Sequence, residues 1–80
     1  MSADCINPDF SPAAQGQLNT INREWHRLEQ MERDHAAGRR ILDAKQWCEI
    51  QGRKTVLARA RTALHRSGRR INLRQYGVTE

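Results

Sequence analysis

The chain is poor in most of the residues that mark a specialised fold. Cysteine occurs twice, as Cys5 and Cys48, too few and too far apart for a disulfide framework or a zinc knuckle. No metal is therefore expected, and reduced thiols in a cytoplasm are the default. The five glycines are scattered at positions 16, 38, 52, 68 and 77, so no glycine-rich loop can cradle a phosphate. Phe10, Trp25, Trp47 and Tyr76 are the only aromatics. Just one of them, Tyr76, lies in the basic stretch near the C-terminus, which argues against a base-stacking platform for single strands. Apolar runs never exceed three residues, so no membrane-spanning helix fits. Met1-Ser2-Ala3-Asp4-Cys5 has neither the basic region nor the apolar stretch of a secretory signal, again consistent with a cytoplasmic expectation.

Catalytic apparatus is equally scarce. His26, His35 and His65 are the only histidines, and none has a Ser or Cys nucleophile placed beside it by sequence. No pair of acids sits in an apolar setting. The expectation is a protein that is not an enzyme and needs no cofactor. His35 reads as a seam residue partnered by Glu32 or Arg39 rather than as a ligand. At 80 residues and 9.3 kDa there is room for one domain, whose own core is small. Self-association into a homodimer is a common remedy for that shortage.

What the chain does have is charge, unevenly placed. Residues 1–34 carry six carboxylates against three arginines, while residues 35–80 carry eleven basic residues against Asp43, Glu49 and Glu80. From Arg53 to Arg74 there are eight basic residues and no acid: Arg53, Lys54, Arg59, Arg61, Arg66, Arg69, Arg70 and Arg74. Twelve of the fourteen cations are arginine, the side chain that forks onto phosphate or carboxylate. Such a block seeks an anionic partner, and nucleic acid is the commonest.

Two helices are expected. Residues 1–11 read as a flexible lead, with a turn at Asn7-Pro8-Asp9 and with Ile6 or Phe10 available to dock. Ser11-Pro12 is a helix start, Ser as cap and Pro at the first helical position. Ala14, Leu18, Ile21, Trp25 and Leu28 then recur at steps of four and three, an a/d seam over a helix at 12–37 that ends at Gly38. A second helix is expected at 40–67, ending at Ser67-Gly68, with a basic tail over 68–80. Its apolar residues conflict. On a wheel of about 100° per residue, Ile41, Ala44, Trp47 and Cys48 fall nearly opposite Val56, Leu57, Ala60, Ala63 and Leu64, and Leu42 and Ile50 fit the first group poorly. Either Gly52 breaks the helix, or one continuous helix carries two apolar faces, the second for another subunit. A Glu49–Arg53 pair and the good helix formers beyond Gly52 favour continuity. The predicted fold is all-α: an antiparallel helical hairpin over 12–67, dimerising into a four-helix arrangement in which Trp25 and Trp47 pack.

Three functional readings follow. The leading one is a small regulatory protein that binds nucleic acid through the eight cations from Arg53 to Arg74. In a second, Trp47-Cys48-Glu49-Ile50-Gln51-Gly52 resembles the first helix and turn of a helix-turn-helix, with Arg59 and Arg61 directed at a groove. Arg53 stands where that turn needs an apolar residue. In the third, Trp47, Val56, Leu57, Ala60 and Leu64 form an apolar stripe, rimmed by arginine, that docks on an acidic host protein and blocks or adapts it. Accessory factors of phages and mobile elements are often small, motif-poor helical proteins of this kind. A membrane surface fits least, since the part of the stripe within the basic stretch is Val, Leu and Ala with no aromatic anchor.

Overall fold

The computed structural model describes residues 9–78. Among them every regular element is helical: α1 over Pro12–Ala36, α2 over Ala44–Ser67, and a 3₁₀ turn over Leu73–Tyr76. The all-α expectation is met by a helical hairpin. Cys5 and Ile6 lie outside the described residues, whereas Phe10 docks, 9% exposed, with its ring 5.2 Å from that of His65.

Local chemistry sets each boundary. The Ser11 hydroxyl accepts from the Ala14 amide at 3.1 Å, and Pro12 occupies the first helical position. After Ala36, Gly38 turns the chain at φ 77°. Asp34 gathers the loop: its carbonyl accepts from the Arg39 and Arg40 amides, and its carboxylate takes the Arg39 guanidinium at 3.0 Å. Hydrogen bonds from Gln30 and then Arg39 hold that carboxylate below its ordinary range. The His35 ring nitrogen Nδ1 accepts from the Leu42 amide at 3.0 Å, so its work is to close the loop rather than to pair with Glu32 or Arg39. The second helix begins at Ala44, four residues later than the spacing suggested. Asp43 and Gln46 form a reciprocal capping box there, each side chain bonded to the other's amide at 2.8 and 3.1 Å. A cap that satisfies two free amides outweighs the weak apolar periodicity of residues 40–43.

Helix α2 runs unbroken through Gly52, which settles the wheel conflict. Ile50, Leu57, Ala60 and Leu64 are buried and fall within an arc of about 80° at 100° per residue. The core therefore uses one face. Ile41 precedes the helix and is 87% exposed, and Trp47 is 40% exposed, so the first apolar group was never a stripe. Leu42 and Ile50, which fitted it poorly, are the residues that are buried.

The core joins Ala14, Leu18, Ile21 and Leu28 of α1 to that α2 face, and Leu73 and Val78 of the tail close it. Residues early in α1 meet residues late in α2: the Ser11 amide bonds to the Gly68 carbonyl at 2.9 Å. Gly68 is required twice over, by its φ of 65° and because a Cβ there would meet the Asp9 carbonyl oxygen at 3.1 Å. Farther along α1, Glu24 pairs with Arg53, and Glu32 with Lys54. The tail is docked by Gln17, 4% exposed, whose amide donates to the Ile71 carbonyl at 2.8 Å and accepts from the Ile71 amide at 2.9 Å. No buried side-chain polar atom among the described residues lacks a partner.

Candidate anion-binding surface

The eight cations from Arg53 to Arg74 divide into two groups. Arg53 lies on the inner flank of α2, where its guanidinium grips both Glu24 oxygens at 2.7 and 3.1 Å and donates to the Gly77 carbonyl at 2.7 Å. Lys54 donates to Glu32 at 2.8 Å and sits 4.7 Å from the centre of the Trp25 ring. The Lys54 hydrogen bond, helped by one from Gln51, holds the Glu32 carboxyl below its ordinary range against the upward push of partial burial. Arg61 covers Trp25 as well, at 5.0 Å. These three cations hold the hairpin together. The expected Glu49–Arg53 pair gives way to Glu24, which offers Arg53 a two-oxygen contact across the helices.

Arg59, Arg66, Arg69, Arg70 and Arg74 are exposed. None of Arg59, Arg66, Arg69 and Arg74 enters an ion pair among the described residues. Arg59 and Arg66 lie seven residues apart, about 10 Å along the helix axis. They flank an open groove of about 770 Å³ whose remaining lining is small or neutral, with Thr55, Ala58, Thr62, Ala63, Ser67 and Tyr76. The Thr55 and Thr62 hydroxyls donate back to the Gln51 and Ala58 carbonyls at 3.0 Å. The arginines are therefore the groove's strong donors, and no carboxylate lines it. Arg70 and Arg74 line a second recess, of about 500 Å³, with Ile71 and Asn72. The Asn72 side chain caps the 3₁₀ turn by accepting from the Arg74 amide at 3.1 Å. Gln17 and the burial of Leu73 thus fix where the tail arginines stand.

The residues expected to form a partner stripe are distributed differently. Leu57, Ala60 and Leu64 are each 0% exposed and belong to the hairpin's own core, because α2 has one apolar face and α1 covers it. Val56 is half-buried, and Trp47 stands at the loop end with its ring 5.8 Å from that of His35. The helix-turn-helix reading fails at Gly52, which lies inside α2 where a turn would be needed. Arg61 faces Trp25 rather than a groove.

One feature escaped sequence reasoning. Arg23 and Arg27, in the acidic half, line a polar recess of about 410 Å³ together with Thr20, Glu24 and Arg53. Their i,i+4 spacing was visible, but nothing local announces that Arg53 arrives opposite them. Among the described residues no helix is long and apolar enough to cross a membrane, and no three His, Cys, Asp or Glu side chains gather as a metal site. Compared with protein-family models, curated proteins and solved structures, the chain matches none.

Proposed function

We propose that this protein is a small non-enzymatic binding protein, an antiparallel helical hairpin that engages nucleic acid through Arg59, Arg66, Arg69, Arg70 and Arg74. The observation that carries the reading is the division of the cations. Arg53 and Lys54 have their charge met by Glu24 and Glu32, while Arg59, Arg66, Arg69 and Arg74 are exposed and outside every ion pair among the described residues. Exposed guanidiniums with no carboxylate partner attract a polyanion and fork onto its phosphates. Arginine forks onto phosphate oxygens, so the contact proposed is with the phosphate backbone and largely independent of sequence.

The test is an Arg59→Glu/Arg66→Glu variant, titrated into labelled duplex and single strands beside the native protein. Both side chains are exposed, so the fold should persist by circular dichroism. Affinity is expected to fall about a hundredfold as two phosphate contacts become repulsions. Unchanged affinity rejects the reading. The groove supports a second reading, in which its small-residue floor receives an acidic helix of a partner protein. That partner would lose its grip when Ala63 is enlarged to Trp, a change that leaves phosphate contacts in place.

A further inference from the structure

We infer that the recess between α1 and Arg53 is a phosphate-binding cradle, separate from the surface proposed above. Three guanidiniums, Arg23, Arg27 and Arg53, line a space of about 410 Å³ with Thr20 and one carboxylate, Glu24. An Arg pair at i,i+4 on a helix is ordinarily a solvated face, and its members repel one another. Here a third guanidinium is delivered from the other helix and fixed in place. Arg53 is held through Nε, Nη1 and Nη2 by Glu24 and the Gly77 carbonyl. That leaves it one unused N–H on each Nη nitrogen.

The same contacts occupy the acid. Both Glu24 oxygens are taken up by Arg53 at 2.7 and 3.1 Å. Among the described residues Arg23 meets the Thr20 hydroxyl, at 3.4 Å, whose proton goes to the Gly16 carbonyl at 3.1 Å. Arg27 enters no ion pair among the described residues. Three cations against one committed carboxylate leave two positive charges facing one small concavity. A phosphate group matches it, with its tetrahedral oxygens, its charge and its taste for forked donors. Because the recess draws on α1, α2 and the tail carbonyl of Gly77, occupancy also ties the three segments together, and binding should raise the melting temperature.

The phosphate has two sources, free oligophosphate or the diester of a nucleic acid, and the experiment separates them. Tripolyphosphate and a short oligothymidylate are titrated calorimetrically at low salt into three proteins: native, Arg23→Gln/Arg27→Gln and, as a charge control outside both surfaces, Arg40→Gln/Lys45→Gln. All four substituted side chains are exposed, and the melting temperatures without ligand confirm that each variant folds. The cradle predicts that Arg23→Gln/Arg27→Gln weakens at least one probe by about tenfold or more, while Arg40→Gln/Lys45→Gln changes the binding of either probe by less than about twofold. An effect on tripolyphosphate assigns the site to free phosphate. An effect on the oligothymidylate alone assigns it to a backbone diester. Equal losses in both variants would reduce the recess to net charge and overturn the proposal, as would no binding of either probe. Equal losses leave the Arg59/Arg66 surface untouched, since neither residue is altered, whereas an oligothymidylate that fails to bind the native protein counts against both readings.

Discussion

Replacing Gln17 by Leu would test how the basic tail is held. The Gln17 side chain stands in for a strand of backbone, donating to the Ile71 carbonyl at 2.8 Å and accepting from its amide at 2.9 Å. Leucine keeps the bulk and removes both partners. Each abandoned backbone group costs about 1–3 kcal/mol when shielded from water, and Ile71 is half-buried, so the low end applies to each. The sum is about 2–3 kcal/mol, out of a total stability of about 4–12 kcal/mol for a chain of this length. In urea, with a slope of about 1–1.5 kcal/mol per molar, the midpoint should fall by about 2 M. Hydrogen exchange at the Ile71 amide should accelerate beyond the global change, because the tail undocks before the hairpin opens. A midpoint shift under about 0.5 M, with Ile71 protection retained, would show that Leu73 and Val78 hold the tail unaided and that the reasoning is wrong.

Three further outcomes follow from the core and the helices. Gly52→Ala should stabilise by about 1 kcal/mol in thermal unfolding, because a Cβ there meets nothing within 4 Å and α2 is continuous; destabilisation would indicate a kink at Gly52. Leu57→Ala should cost about 2–5 kcal/mol in denaturant, and Leu57→Asp should abolish cooperative unfolding, since Leu57 is 0% exposed; a stable Leu57→Asp protein would return that residue to the surface. Glu32, held below its ordinary value of 4.5 by Lys54, contributes stability that is present above that value and is lost as pH falls through the lowered one. Glu32→Gln should therefore be less stable than the native protein at neutral pH, and the gap should close in urea titrations as the pH is taken down below the ordinary carboxylate range.

The helices were legible because their signals are local. Ser11-Pro12 and the four-three spacing from Ala14 to Leu28 locate α1 without reference to any other segment. The start of α2 was harder, since Ile41 and Leu42 look alike in sequence. Only the cap formed by Asp43 and Gln46, and the closing bond from the Leu42 amide to His35, decide which residue turns inward. The wheel misled because it counted Ile41, which precedes α2, and because Ala44 and Trp47 stand exposed in the first turn of α2, near the loop. The basic block was visible as composition, but not its division. Which cations hold the fold depends on Glu24 and Glu32 meeting Arg53 and Lys54 across more than twenty residues of chain. The recess at Arg23 and Arg27 was hidden for the same reason.

The most direct test of the central proposal is fluorescence anisotropy of a labelled duplex against the native protein, repeated from low to physiological salt. Phosphate contact by Arg59, Arg66, Arg69, Arg70 and Arg74 predicts affinity that falls with a log–log slope of about −4 to −5, close to one released counterion per guanidinium. No binding at low salt, or binding that salt leaves unchanged, would contradict it.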